Sequence, residues 1–401
     1  MAAWPFTGMD KVGDIWYNIN TKAKTAEVTK KSTYGQYSGD VVIPSSIEYE
    51  GVECVVNSIA KDAFYYCDKL TSVLIPNSVT YIGSCAFQSC DKLTSITIPE
   101  SVITIESGAF SSCYKLSKVN LSSVSSIGAN AFESCKSLTS IVIPESVKTI
   151  NPNAFHGCAN LDSVIISDIG AWCNIQFTGR AGSAVLNQYS FYKTYRLFKG
   201  EYEVKDLIIP EGLKTIHSFT FSNCKSITTI TFPASLEQIG MNSFENCEGI
   251  REVVISENIT KIAADAFWKC ANLNKVILPT TLKSIGSLAF AECTELSDVY
   301  CYATECPDAN NRAFQNSDVK YATLHVPASS LELYKSTSPW NEFGNIVALT
   351  EEDETGISAA TEEPTEQKQF FSLDGKRICN PQKGVNIVRM PNGRTKKEMR
   401  K

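Results

Sequence analysis

Ala86-Phe87-Gln88-Ser89-Cys90, followed by Leu93, Ile96, Ile98, Pro99, Val102 and Ile105, is the stretch on which the fold turns. Ala266-Phe267-Trp268-Lys269-Cys270 repeats it, followed by Leu273, Val276, Leu278, Pro279, Leu282 and Ile285. The shared unit reads Ala-Phe-x-x-Cys-x-x-Leu-x-x-Val-x-Ile-Pro-x-x-Val-x-x-Ile-Gly. Phe64, Phe87, Phe110, Phe132 and Phe155 form one series of its aromatic position. Phe221, Phe244, Phe267, Phe290 and Phe314 form a second. Self-similarity at a fixed period of about 20–50 residues is the mark of a solenoid.

The unit coils for a packing reason. Leu-x-x-Val-x-Ile points alternate residues inward on a short strand, where β-branched side chains fit well. Proline then ends the strand and turns the chain. Val-x-x-Ile crosses the opposite side, and Ala-Phe begins the return. One unit alone cannot bury all its apolar positions, but stacked copies place Phe over Phe and Cys over Cys along a shared core. Each large apolar side chain so buried contributes about 1.5–3 kcal/mol relative to exposure.

Most of the fifteen cysteines obey the same period. Cys67, Cys90, Cys113, Cys135 and Cys158 lie 23, 23, 22 and 23 residues apart, and Cys224, Cys247, Cys270 and Cys293 continue at 23. Nine of the fifteen therefore mark a repeat position, that of a small residue buried in a tight turn. A structural zinc site calls for close cysteine pairs. Cys301 and Cys306, at C-x4-C, have no second pair nearby in the sequence. Stacked coils bring neighbouring thiols near disulfide distance, but their parallel side-chain directions oppose bonding.

The 401 residues are 43% hydrophobic and 20% charged, enough to build a large core, and the net charge is −6. That balance argues against a nucleic-acid binder, whose binding domain is usually basic. No run of 18 apolar residues is present to span a membrane as a helix. Met1-Ala2-Ala3-Trp4-Pro5 lacks the basic-then-apolar pattern of a signal peptide, so an exported form would have lost one. Three histidines, His156, His217 and His325, leave little material for a His-centred site. No nucleophile elbow, P-loop, Gly-rich dinucleotide turn or HExxH motif occurs. Catalysis, metal and cofactor are not expected.

The repeating unit resembles the 23-residue leucine-rich repeat of BspA-type (Treponema pallidum-type) surface proteins of Bacteroidetes-like bacteria, over roughly Asp40 to Leu349. The resemblance implies a mainly β, right-handed leucine-rich-repeat solenoid with a concave parallel sheet. It also implies an extracellular or outer-surface protein that adheres to host-matrix or bacterial-surface proteins.

Departures from the repeat mark the expected boundaries. Residues 1–39 form an N-terminal β cap, with short strands over Asp14–Ile19 and Thr25–Thr29 and a slightly enlarged first turn around Gly51 and Cys54. Residues 40–349 form about eleven coils, with an irregular insertion at 167–203 and a C-terminal cap at 315–349. Within the insertion, Ile169–Cys173 reads as a short helix or turn and Tyr195–Val204 as a hairpin around Lys199-Gly200. The acidic stretch 350–367 reads as a flexible linker. Residues 368–401 resemble the C-terminal sorting segment of proteins exported across the Bacteroidetes outer membrane, with Asp374-Gly375 as a tight turn. The ending Lys397-Glu398-Met399-Arg400-Lys401 departs from that segment's apolar-basic close, and a small β appendage with a basic tail is the other reading.

A binding surface follows from the positions that face away from the core. The third position of Leu-x-x-Val-x-Ile gives Lys118, Asp206, Glu252, Lys275 and Asp298 among serines and threonines. The fifth gives Asn120, Val142, Ile165, Ile208, Val254, Ile277 and Tyr300. Such an apolar stripe on an open sheet marks a partner site or else reflects strand propensity alone. A dozen coils at about 4.8 Å make a surface about 55 Å long, suited to a macromolecule and too open for a small-molecule pocket. Trp172, with Phe177, Tyr189, Phe191 and Tyr192, makes the insertion a second candidate contact and supports a weaker carbohydrate-binding reading. A spacer without a dedicated ligand is the alternative.

Overall fold

The computed structural model of the protein describes residue 6, residues 8–31, 34–178, 194–350 and 353, and the backbone of residues 369–371, 377–378, 384–389 and 395–400. The chain divides into two compact units, Met1–Ala348 and Leu349–Lys401.

The first unit is a parallel-sheet solenoid of about 12 turns with little helix. Each regular coil contributes two strands. The Val-x-Ile segments pair in parallel as a broad ribbon, with Ser140–Ile143 on Ser163–Ile166 and Lys275–Leu278 on Asp298–Cys301. The Thr-Ile segments before the Phe turn pair in parallel as a narrow ladder, for instance Thr104–Ile105 on Ser126–Ile127. Register is strict: Ile96 pairs with Val119, and Ile105 with Ile127. A one-residue slip would turn every core side chain to solvent, so the alternation itself enforces the stacking.

The Phe turn supplies a third set of inter-coil bonds. Phe64, Phe87, Phe110 and Phe132 donate their backbone N–H groups to Ala86, Ala109, Ala131 and Ala154 carbonyls at 2.7–2.8 Å. In nine of the ten Phe turns the backbone is left-handed two residues before and two after the ring, as at Asn130 (φ 56°) and Ser134 (φ 59°) around Phe132; the Phe314 turn keeps only the second, at Asn316 (φ 61°). Asn, Asp and Gly adopt this region at low cost, which accounts for Asp62, Gly108, Asn153, Gly157, Asn242 and Asp265 at these sites.

The rings stack as the repeat predicts. From Phe64 to Phe155 successive centroids lie 4.7, 5.2, 5.4 and 5.4 Å apart, with planes within 7° of parallel. From Phe221 to Phe314 they lie 5.2, 5.3, 5.4 and 5.8 Å apart. Offset-stacked pairs of this kind contribute about 0.5–1.5 kcal/mol beyond area burial. Tyr37 closes the first stack against Phe64 at 4.7 Å. Trp340 and Phe343 close the second edge-on against Phe314.

The cysteine position has a role beyond small size. Cys90, Cys113, Cys135 and Cys158 donate their thiols to the carbonyls of Phe64, Phe87, Phe110 and Phe132, one coil back, at 3.0–3.2 Å. Cys247, Cys270 and Cys293 do the same to Phe221, Phe244 and Phe267 at 3.1–3.4 Å. The fourteen cysteines among the described residues are all free thiols. Burial pushes the Cys67 and Cys224 thiols up to about 11, and those of Cys173 and Cys270 up to about 12.

The N-terminal cap comprises β1 (Gly8–Val12), β2 (Ile15–Asn20) and β3 (Thr25–Thr29), paired antiparallel in sequence order. β3 then joins the narrow ladder in parallel through β6 (Val52–Ile59). The ribbon begins with β4 (Ser38–Val42), paired to β7 (Lys69–Leu74). The stretch read as an enlarged turn is instead a hairpin of β5 (Ser46–Tyr49) and β6. Its two turn residues, Glu50 (φ 51°) and Gly51 (φ 76°), are both left-handed, the geometry that matches strand twist in a two-residue hairpin. Cys54 therefore lies in a strand, fully buried.

At the far end the helix α2 (Leu331–Ser336) precedes a closing ribbon strand, Asn345–Ala348, parallel to Thr323–Val326. In the second unit, Gln369–Phe371, Arg377–Ile378, Gly384–Arg389 and Thr395–Arg400 form a four-stranded antiparallel sheet. The basic tail is thus largely a strand, paired to Gly384–Arg389. The Asp374-Gly375 turn lies outside the described residues.

Candidate functional site

The outward positions of the ribbon stand where alternation puts them. Lys118, Asn120, Val142, Asp206, Ile208 and Glu252 are exposed, and Ile165, Lys275, Asp298 and Tyr300 are half-buried between neighbouring side chains. Val142 is 53% and Ile208 65% exposed, as are Val42 (64%) and Leu74 (63%) near the ribbon's start.

Four of these residues converge. Lys275 Nζ lies 3.1 Å from Glu252 Oε1 on the adjacent strand and 5.3 Å from the centre of the Tyr300 ring. His325, one strand further on, stacks on Tyr300 at 4.1 Å with planes 5° apart, and its Nε2 is 3.3 Å from Asp298 Oδ1. Glu252 and Lys275 face each other as opposite charges on adjacent strands, and the Asp298 carboxylate lies beside the His325 imidazole. The cluster presents a patch of polar atoms and ring edges on the outer face of the ribbon. In the sequence His325 reads only as one of three scattered histidines. Its partnership with Tyr300 and Asp298 depends on register across a coil whose spacing departs from the repeat.

The ribbon between Ile165 and Ile208 differs from the simple ladder. Arg196–Lys199 is a hairpin strand with Tyr202–Glu203, as expected, but it also pairs in parallel with Ser163–Ile166. Phe198 therefore sits beside Ile165, extending the apolar stripe of Val142 and Ile165 by one residue. Arg196 reaches Asp162 with Nε at 2.8 Å and Nη2 at 2.6 Å, and Lys225 Nζ reaches the other oxygen at 2.8 Å. The Lys225 ammonium, then the Arg196 guanidinium, hold the Asp162 carboxyl below its ordinary range. One carboxylate thus ties strands on both sides of the irregular segment.

Trp172 is corrected by the structure. It lies in helix α1 (Ile169–Cys173), which Asp168 caps by accepting from the Ala171 N–H at 2.8 Å. The indole is 1% exposed, packs edge-on against Phe177 at 5.4 Å, and donates to the Thr220 carbonyl at 3.0 Å. An indole so enclosed stabilises the modified coil and offers no face to a partner or sugar. Tyr189, Phe191 and Tyr192 lie outside the described residues.

Among the described residues no group of three His, Cys, Asp or Glu side chains could hold a metal, and no helix is long and apolar enough to cross a membrane.

A solenoid whose coils each add one ribbon strand and one narrow strand over a shared core has the architecture of a leucine-rich repeat protein. The model of the BspA type leucine-rich repeat region matches residues 57–179 and 186–320 in six copies, and the chain belongs to that family. Solved structures similar to it include a leucine-rich cell surface protein of Faecalibacterium prausnitzii, at 21% identity over 89% of this chain and 98% of that one, with a TM-score of 0.44. A leucine-rich repeat protein of Bacteroides ovatus is 25% identical over 85% and 100%, with a TM-score of 0.45. The pneumococcal vaccine antigen PcpA is 16% identical over 86% and 99%, with a TM-score of 0.47. No curated protein matches the chain.

Proposed function

We propose that this chain acts outside the bacterial cell as a binding module, adhering to a host-matrix or bacterial-surface protein through its ribbon. The observation that carries the reading is the ribbon itself. Its outward side chains alternate with core residues, and the apolar groups at Val142, Ile165 and Phe198 adjoin the anchored charges of Asp162 and Arg196. Apolar residues ringed by polar ones are what a partner interface requires. Family membership supports the surface location.

The test is binding of the full chain to arrays of matrix proteins, glycans and bacterial surfaces, beside Val142→Glu, Ile208→Glu and Lys118→Glu variants of confirmed fold. A protein partner lost in the first two variants supports the reading. Unchanged cell attachment in all three favours a spacer that projects other parts of the molecule. Glycans alone as partners favour the carbohydrate reading.

A further inference from the structure

Charge in this chain is segregated. Residues 368–401 hold ten Lys and Arg against two Asp and Glu, a net +8, whereas the preceding 367 residues total −14. Seven of those acids, with no base among them, fall in residues 350–367, directly before the basic stretch. So sharp an asymmetry within one chain points to a partner of opposite sign.

The backbone sets the basic positions out in order. In the four-stranded sheet of the second unit, Gln369–Phe371 and Gly384–Arg389 are the inner strands, and Arg377–Ile378 and Thr395–Arg400 are the edges. Residues paired across strands share a face, as do alternate residues along a strand. Arg377, Phe371, Ile387 and Lys397 therefore form one row across all four strands. At ~4.8 Å per strand the row is roughly 14 Å long. Arg389 stands in the next row on the same face, between Gln369 and Thr395, and Val385 and Met399 continue the face on the other side. This face has basic positions on both edges, an apolar centre and no acidic position. Glu398, the one acid within the four strands, belongs to the opposite face with Lys396 and Arg400.

We propose that this face binds the surface of a bilayer rich in anionic lipid, as a site separate from the ribbon. The basic margin matches phosphate headgroups, and the apolar centre matches the acyl boundary beneath them. A nucleic acid is held chiefly through its phosphates and would gain little from Phe371, Val385 and Ile387 at the centre of the face. The combination of rim and centre therefore favours lipid. Each Lys or Arg brought near an anionic surface strengthens binding about fivefold.

The probe is a vesicle of phosphatidylcholine with one lipid in three replaced by phosphatidylglycerol, sedimented with the full chain beside vesicles of phosphatidylcholine alone. Binding to the first and not the second is expected, falling steeply as salt is raised. The triple variant Arg377→Glu, Arg389→Glu, Lys397→Glu should bind the anionic vesicle at least about a hundredfold more weakly. Lys69→Glu, Lys92→Glu, Lys115→Glu makes the same change of charge at exposed solenoid positions and should leave binding unchanged. Arg377→Lys with Arg389→Lys should retain binding, which separates charge from a folding defect. The proposal is overturned by binding to neither vesicle or equally to both. It is also overturned if the solenoid variant loses as much as the triple variant, or if the lysine variant loses binding. Tighter binding of a DNA duplex than of the anionic vesicle at the same salt would overturn it too, since the partner would then be a nucleic acid. None of these results depends on whether the ribbon itself binds a partner.

Discussion

Ser317 donates its hydroxyl to the Phe290 carbonyl at 2.6 Å, the same bond that Cys293 makes from its thiol to Phe267 one coil earlier. Ser317 stands three residues after Phe314, at the repeat's cysteine position. What that position needs is therefore a compact donor aimed at the preceding coil, and sulfur is one way to supply it.

Replacement of Cys113 tests this directly. Its thiol donates to Phe87 at 3.0 Å. Cys113→Ala removes one of two donors to that buried carbonyl, which keeps the Cys90 N–H at 3.3 Å, and should cost about 0.5–1.5 kcal/mol in urea unfolding. Cys113→Ser should cost less than Cys113→Ala, reversing the order expected in a purely apolar pocket.

The thiols should also be unreactive while the coils are closed. Of the fourteen described, only Cys85 and Cys306 are not fully buried, and burial raises the pKa of both. At pH 8 a disulfide-exchange reagent should label Cys85 and Cys306 slowly and leave the stacked series untouched until denaturant is added. Mass spectrometry of the labelled peptides reads the result.

Left-handed backbone offers a stabilising change. Leu288, two residues before Phe290, is held at φ 57°, where a branched aliphatic residue is costly. Leu288→Asn should raise stability by up to about 1 kcal/mol, measured by thermal unfolding. Equivalent replacement of Asn130, which sits at the same turn position with φ 56°, by leucine should lower it.

Asp162 makes a pH-dependent contribution. Its carboxyl is depressed in the folded chain by Lys225 and Arg196. A depressed acid stabilises the fold fully above its unfolded value, near 3.9, and loses that contribution as pH falls through the lower folded value. Asp162→Asn should therefore reduce stability at pH 7, by less than about 1 kcal/mol because the pair is partly solvated. The difference from the native chain should vanish once the pH falls below that lowered folded value.

The repeat was legible because ring, thiol and strand residues recur at one spacing, and each faces an identical environment in the next coil. Hidden features are those where one coil differs from its neighbours. Arg196–Lys199 reads as a hairpin from Lys199-Gly200, and nothing local shows that it also continues the ribbon beside Ser163–Ile166. Trp172 reads as an exposed aromatic because it falls in an irregular stretch, but the partner that buries it, Thr220, is 48 residues away. Ser317 is hidden because its residue type departs from the cysteine of the repeat, although its place three residues after Phe314 marks it.

Every coil offers its successor the same ring, the same carbonyl and the same main-chain donors. In-frame duplication or deletion of one unit would consequently leave each surviving junction chemically unchanged, so the gene can lengthen or shorten its product while the two capping ends stay intact. The span from Asp162 to Lys225 is the exception: its contacts are unique, and recombination there would have no interchangeable seam to use.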